Sequence, residues 1–86
     1  MSQKLERIRD LLAVLEAQQQ LRRQEYGFAI GMHGGVLVEK AGHARGLWRY
    51  DTKGYGWTPS GYNQPICHYP TAEAAVRHML VTIAVH

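Results

Sequence analysis

Cysteine is almost missing from this 86-residue chain: Cys67 stands alone, so no internal disulfide can form and a disulfide-stapled secreted scaffold is excluded. Serine is equally scarce. Ser2 and Ser60 are the only two, and neither lies in the G-x-S-x-G elbow that a serine hydrolase requires. The glycines form no G-x-x-x-x-G-K-[ST] loop and no dinucleotide fingerprint. Carboxylates are few, and Glu39 and Asp51 are the two within the expected sheet, which leaves paired-carboxylate chemistry little to work with. Histidine is frequent, at 33, 43, 68, 78 and 86, but CxxC and HxxxH spacings are missing. Cys67 and His68, adjacent on a strand, would point to opposite faces. No metal and no organic cofactor are therefore expected, and Cys67 reads as a small core residue. No apolar run reaches membrane-spanning length, and the N-terminal residues are charged. The expectation is a cytoplasmic protein that does not enter a membrane.

What is present describes a folded chain of one domain, 1–86. The apolar fraction of 45% is ordinary for a globular protein. Ten Lys plus Arg against seven Asp plus Glu give a formal charge of +3, which permits an anionic partner without demanding one. Over residues 2–25, Leu5, Ile8, Leu12 and Leu15 step by three and four, and Leu11 widens the stripe. This predicts one long helix with Ser2 as N-cap. Its second half, through Gln18-Gln19-Gln20 and Arg22-Arg23, is polar.

Residues 26–69 then change period. Tyr26, Phe28, Ile30 and Met32 alternate with small residues, His33-Gly34-Gly35 forms a turn, and Val36 to Glu39 returns. A loop over 41–44 precedes a strand from Gly46 to Asp51, and Thr52-Lys53-Gly54 turns into Tyr55 to Thr58. Ile66 to Tyr69 reads as a short edge strand. A last helix over 71–84 starts at Thr71 and aligns Ala72, Ala75, Val76, Met79, Leu80 and Ile83. The predicted fold is α+β: a long N-terminal helix, an antiparallel meander of three or four strands, and a C-terminal helix packed on one face of the sheet. Ile8, Leu12, Val76, Met79 and Ile83 are the expected core positions.

The stretch from Lys40 to Trp57 is the candidate binding segment. It interleaves Arg45, Arg49 and Lys53 with Trp48, Tyr50, Tyr55 and Trp57, close to His43. Flat rings stack and cations pair with phosphates or carboxylates, so such a surface binds more readily than it catalyses. Strand alternation puts Leu47, Arg49 and Asp51 on one face and Trp48 and Tyr50 on the other. The expected binding residues are His43, Arg45, Trp48, Arg49, Lys53, Tyr55 and Trp57. With Arg49 facing solvent, Trp48 belongs to the core, and Trp57 or Tyr55 is expected to supply the exposed ring. The favoured function is a small non-catalytic regulatory or inhibitory protein that docks on another protein, an interface of the composition found at hot spots. The alternative is a nucleic-acid-binding regulator using the same face. A third reading is a metal-independent ribonuclease built on His43, Arg45 and Arg49. Self-association into a homodimer is a further expectation for so short a chain.

Overall fold

The computed structural model describes residues 3–31 and 34–85, with the backbone alone for 83–85. Ser2, Met32, His33, His86 and the Ile83 side chain, each given a role or position above, lie outside the described residues. The elements follow in the order α1 (Gln3–Glu16), α2 (Gln19–Arg23), β1 (Tyr26–Ile30), β2 (Val36–Lys40), β3 (His43–Asp51), β4 (Gly54–Pro59), β5 (Cys67–Tyr69) and α3 (Ala72–Val85). The class is α+β, and every strand pairs antiparallel with its neighbour in chain order, β1-β2-β3-β4-β5. The sheet has five strands, not three or four, because β5 adds to the edge of β4 through Tyr55↔Tyr69, Gly56↔His68 and Trp57↔Cys67.

The N-terminal helix is two helices. Ala17 still donates to the Ala13 carbonyl, but Gln18 tightens onto Leu15 and takes an extended backbone, φ −83° and ψ 106°. Its side-chain amide donates to the Val14 carbonyl at 3.1 Å. The reason lies in Leu21. A straight helix would put Leu21 roughly 120° around the axis from Leu15, on a face away from the sheet. The break turns Leu21 inward, and it is fully buried.

The buried stripe on α1 is Ile8, Leu11 and Leu15, while Leu12 is only half-buried and Leu5 is 38% exposed. The helix is therefore rotated toward Leu11 relative to the expected stripe. On α3, Ala72, Ala75, Val76 and Met79 are buried as expected. Thr71 caps this helix by accepting the Ala74 N–H on its hydroxyl at 3.1 Å. Both helices cover the same side of the sheet and touch each other.

Three tight connections fix the register. Ala41 and Gly42 form a two-residue turn, both with positive φ (51° and 82°), the geometry that matches strand twist in a hairpin. β3 therefore begins at His43, inside the stretch expected to be loop. Thr52 and Lys53 form the second two-residue turn, since Asp51 pairs with Gly54. Asp51 Oδ1 accepts the Lys53 N–H at 2.8 Å. Between them, Arg45 is the extra residue of a bulge: Val38 pairs with Gly46, but Glu39 pairs with Ala44. At the far end, Gly31 and Gly35 close the β1–β2 connection, Gly31 N–H donating to the Gly35 carbonyl at 2.8 Å.

Candidate functional site

Register decides which rings the sheet exposes. The two-residue turn at Thr52-Lys53 sets Trp48 opposite Trp57 and Tyr50 opposite Tyr55. All four rings therefore share the face under the helices. Trp48 is fully buried, Tyr55 is 2% exposed and Trp57 is 8% exposed. The Trp48 and Trp57 ring centroids lie 5.0 Å apart, and Tyr69 and His78 close the cluster around Trp48 at 6.1 and 5.9 Å. The Trp57 ring lies directly on Gly46, where a Cβ would come within 2.5 Å of it. Tyr55 donates its hydroxyl to the Arg7 carbonyl at 3.0 Å, tying β4 to α1. Burial raises the phenol pKa of Tyr55 and, with a contribution from Cys67, of Tyr69. Tyr69 Oη and His78 Nδ1 share a hydrogen bond of 2.8 Å, and desolvation lowers the His78 pKa. Trp48 Nε1 is buried with no hydrogen-bond partner among the described residues.

The expectation that Trp57 or Tyr55 supplies an exposed ring is thus corrected: both follow Trp48 into the core. The remaining expected residues do not gather either. His43 opens β3 beside the Ala41-Gly42 turn, and Lys53 sits in the turn at its other end. Nine residues of strand put those ends roughly 26 Å apart. Arg45 is exposed on the bulge, and its carbonyl accepts the Ser60 N–H at 2.9 Å. Arg49 is exposed on the face opposite the helices. Among the described residues no carboxylate pairs with Arg45 or Arg49.

That outer face carries a site of different composition. Alternation and register set Leu37, Leu47 and Thr58 side by side across β2, β3 and β4, with Arg49 next along β3. Leu37, Leu47 and Thr58 are half-buried. The β4–β5 connection, Ser60 to Ile66, rises beside them. It is held by Ser60 on Arg45, by Tyr62 N–H on the Pro59 carbonyl and by Ile66 N–H on the Trp57 carbonyl. They line a groove of about 760 Å³ with Leu37, Leu47, Thr58 and Arg49 from the strands and Tyr62 and Asn63 from the loop, and it extends to Tyr50 and to Lys4 and Leu5 at the start of α1. Tyr62 is 62% exposed and supplies the ring that the core has taken from the other candidates.

Beyond Arg49 the face becomes polar. Gly56 lies between Arg49 and His68 in register, and its missing side chain admits the His68 ring and Pro65, which would meet a Cβ at 3.0 and 3.2 Å. His68 Nε2 approaches Asp51 Oδ2 at 3.3 Å. The Lys53 N–H, and after it His68, hold the Asp51 carboxyl below the usual aspartate pKa. Leu37, Leu47, Tyr62 and His68 were missed as site residues. The facing of Leu47 with Arg49 was legible in strand alternation, whereas the approach of Tyr62 depends on a loop path that carries no periodic signal.

Among the described residues no three His, Cys, Asp or Glu side chains converge on one point, and no helix is long and apolar enough to cross a membrane. No family model, curated protein or solved structure matches the chain.

Proposed function

We propose that this protein is a small non-catalytic regulator that docks on another protein through the outer face of its sheet. The observation that carries the reading is the groove: Leu37 and Leu47 beside the guanidinium of Arg49, which no carboxylate among the described residues pairs, and the exposed ring of Tyr62. Apolar side chains, arginine and tyrosine are the composition of a protein-binding hot spot. Charge on this face favours a protein over nucleic acid. Glu39 and Asp51 share the face with Arg49, so the positive potential that a phosphate backbone needs is offset locally. For the ribonuclease reading, six residues of strand separate His43 from Arg49 by roughly 20 Å, which leaves Arg45 as the strand cation near His43.

The test is capture from nuclease-treated lysate with the wild-type chain and with the Arg45→Glu, Arg49→Glu double variant, both checked for an unchanged melting temperature. The wild-type chain is expected to retain a defined protein partner that the variant loses. Association surviving moderate salt fits a packed interface. Binding that collapses with salt and returns with added RNA or DNA would instead assign the face to nucleic acid. Equal capture by both chains would remove this face from consideration.

A further inference from the structure

The two edges of the sheet are finished differently. β5 is three residues long and lies between Pro65 and Pro70, so it offers little backbone to a further strand. β1, Tyr-Gly-Phe-Ala-Ile, has five residues and contains neither proline nor charge. The hydrogen bonds that flank it fix its polarity. Ala41 donates to Glu25 and Gly31 donates to Gly35, so residues 25, 27, 29 and 31 direct their backbone groups to β2. The N–H and C=O groups of Tyr26, Phe28 and Ile30 consequently point away from the sheet. On the outer face of this edge, Gly27 and Ala29 are exposed and small. On the inner face Ile30 is 39% exposed, with the rings of Tyr26 and Phe28 stacked beside it at 6.5 Å.

We infer that β1 pairs antiparallel with β1 of a second copy of this chain, about a two-fold axis through Phe28, to make a continuous ten-stranded sheet. The pattern is self-complementary. Phe28 faces Phe28 of the second copy, and Tyr26 faces its Ile30, so the three outward-pointing residues on each strand satisfy one another with about six hydrogen bonds. The inner face aligns Tyr26, Phe28 and Ile30 with Ile30, Phe28 and Tyr26, apolar against apolar. The two-fold axis fixes the antiparallel sense. At the Tyr26 end Arg22, Arg23 and Lys40 are accompanied by Glu25 and Glu39, and Lys40 Nζ lies 5.4 Å from the Tyr26 ring centroid. Antiparallel pairing sets this charged end against Ile30 and Gly31 of the second copy. The same register sets Gly27 opposite Ala29 of the second copy as a non-hydrogen-bonded pair, with Cα atoms about 4.5 Å apart.

Sedimentation equilibrium of the full chain over a concentration series tests the association. The weight-average mass is expected to climb from 9.7 kDa toward twice that value. Ile30→Lys places a charge on the free edge and is expected to hold the chain at monomer mass with unchanged circular dichroism. The register is tested with Gly27→Cys and Ala29→Cys chains, each also carrying Cys67→Ser. A Cβ at Gly27 meets nothing within 4 Å, so the substitution is tolerated. Under mild oxidation a mixture of the two chains is expected to give a disulfide-linked heterodimer in excess of any product from either chain alone. A monomer at millimolar concentration overturns the inference. So does a dimer indifferent to Ile30→Lys, or a mixture that cross-links no better than its separate components.

Discussion

The two faces of the sheet divide the aromatic and basic residues of one short segment between them. The inner face takes Trp48, Tyr55 and Trp57 into the core and seals them under α1 and α3. The outer face keeps Arg49 and Asp51 in solvent, with Leu47 half-covered beside them. Residues adjacent in sequence thus have opposite surroundings, core on one side and solvent on the other. A sequence segment rich in rings and cations is not a surface until its register is known.

The largest expected effect tests the inner face. Trp48→Ala removes the side chain at the centre of the ring cluster and should destabilise by about 3–5 kcal/mol in chemical denaturation. Arg49→Ala, one residue along, should change stability by no more than about 0.5 kcal/mol. Comparable losses from the two would erase the division. Gly56→Ala probes the outer face where His68 and Pro65 close over β4. A Cβ there meets His68 and Pro65, and overpacking should cost about 1–3 kcal/mol unless the loop shifts. A neutral result would show that Pro65 and the loop it anchors yield easily.

How much of this was legible in the sequence turns on one residue of turn length. Alternation alone assigned Trp48 and Tyr50 to one face and Leu47, Arg49 and Asp51 to the other, and the structure agrees. Carrying that assignment across to β4 required the turn to be Thr52-Lys53 rather than Thr52-Lys53-Gly54. The two-residue turn brings Tyr55 and Trp57 to the Trp48 side. Gly54 resembles a turn residue because its φ is 106°, yet it is the first residue of β4, where a side chain would strike the Tyr69 backbone. The helix break at Gln18 had a fainter trace: an apolar Leu21 in an otherwise polar segment, off the stripe that precedes it. Both helices and the meander were legible because long periodic patterns override such local ambiguities.

A pH titration separates the two faces by window, since lowering the pH costs stability through both groups but in different ranges. Burial holds the His78 pKa below its ordinary 6.5, so above that value its neutral form matches the core and nothing is lost. As pH falls below about 6.5 the unfolded chain gains a proton that the folded chain resists, and stability declines until the folded pKa is passed. Replacing His78 by Gln should flatten this part of the stability profile. Asp51 acts lower, since its carboxyl titrates below 3.8, and its contribution is lost only as pH drops through that region. A mid-acid decline that persists without His78 would place the sensitive group elsewhere.

A small gain is expected at the hairpin between β2 and β3. Ala41 has a φ of 51°, a left-handed conformation that alanine adopts at a cost and asparagine tolerates better. Ala41→Asn should raise stability by about 0.5–1 kcal/mol while leaving both faces as they are. No gain would mean that the strands impose this turn at little strain.

Because strand order equals chain order, each pairing joins neighbours, and the sheet can zip from hairpin to hairpin as the polypeptide is made. Its aromatic side cannot close in that way. α1 precedes the strands in the sequence and α3 follows them, and the two meet over the rings from either side of the meander. On the ribosome, a nascent chain therefore carries the Trp48–Trp57 surface half-roofed until Ala72 to Met79 leaves the exit tunnel. During that interval the most adhesive part of the molecule is the part that the finished fold hides.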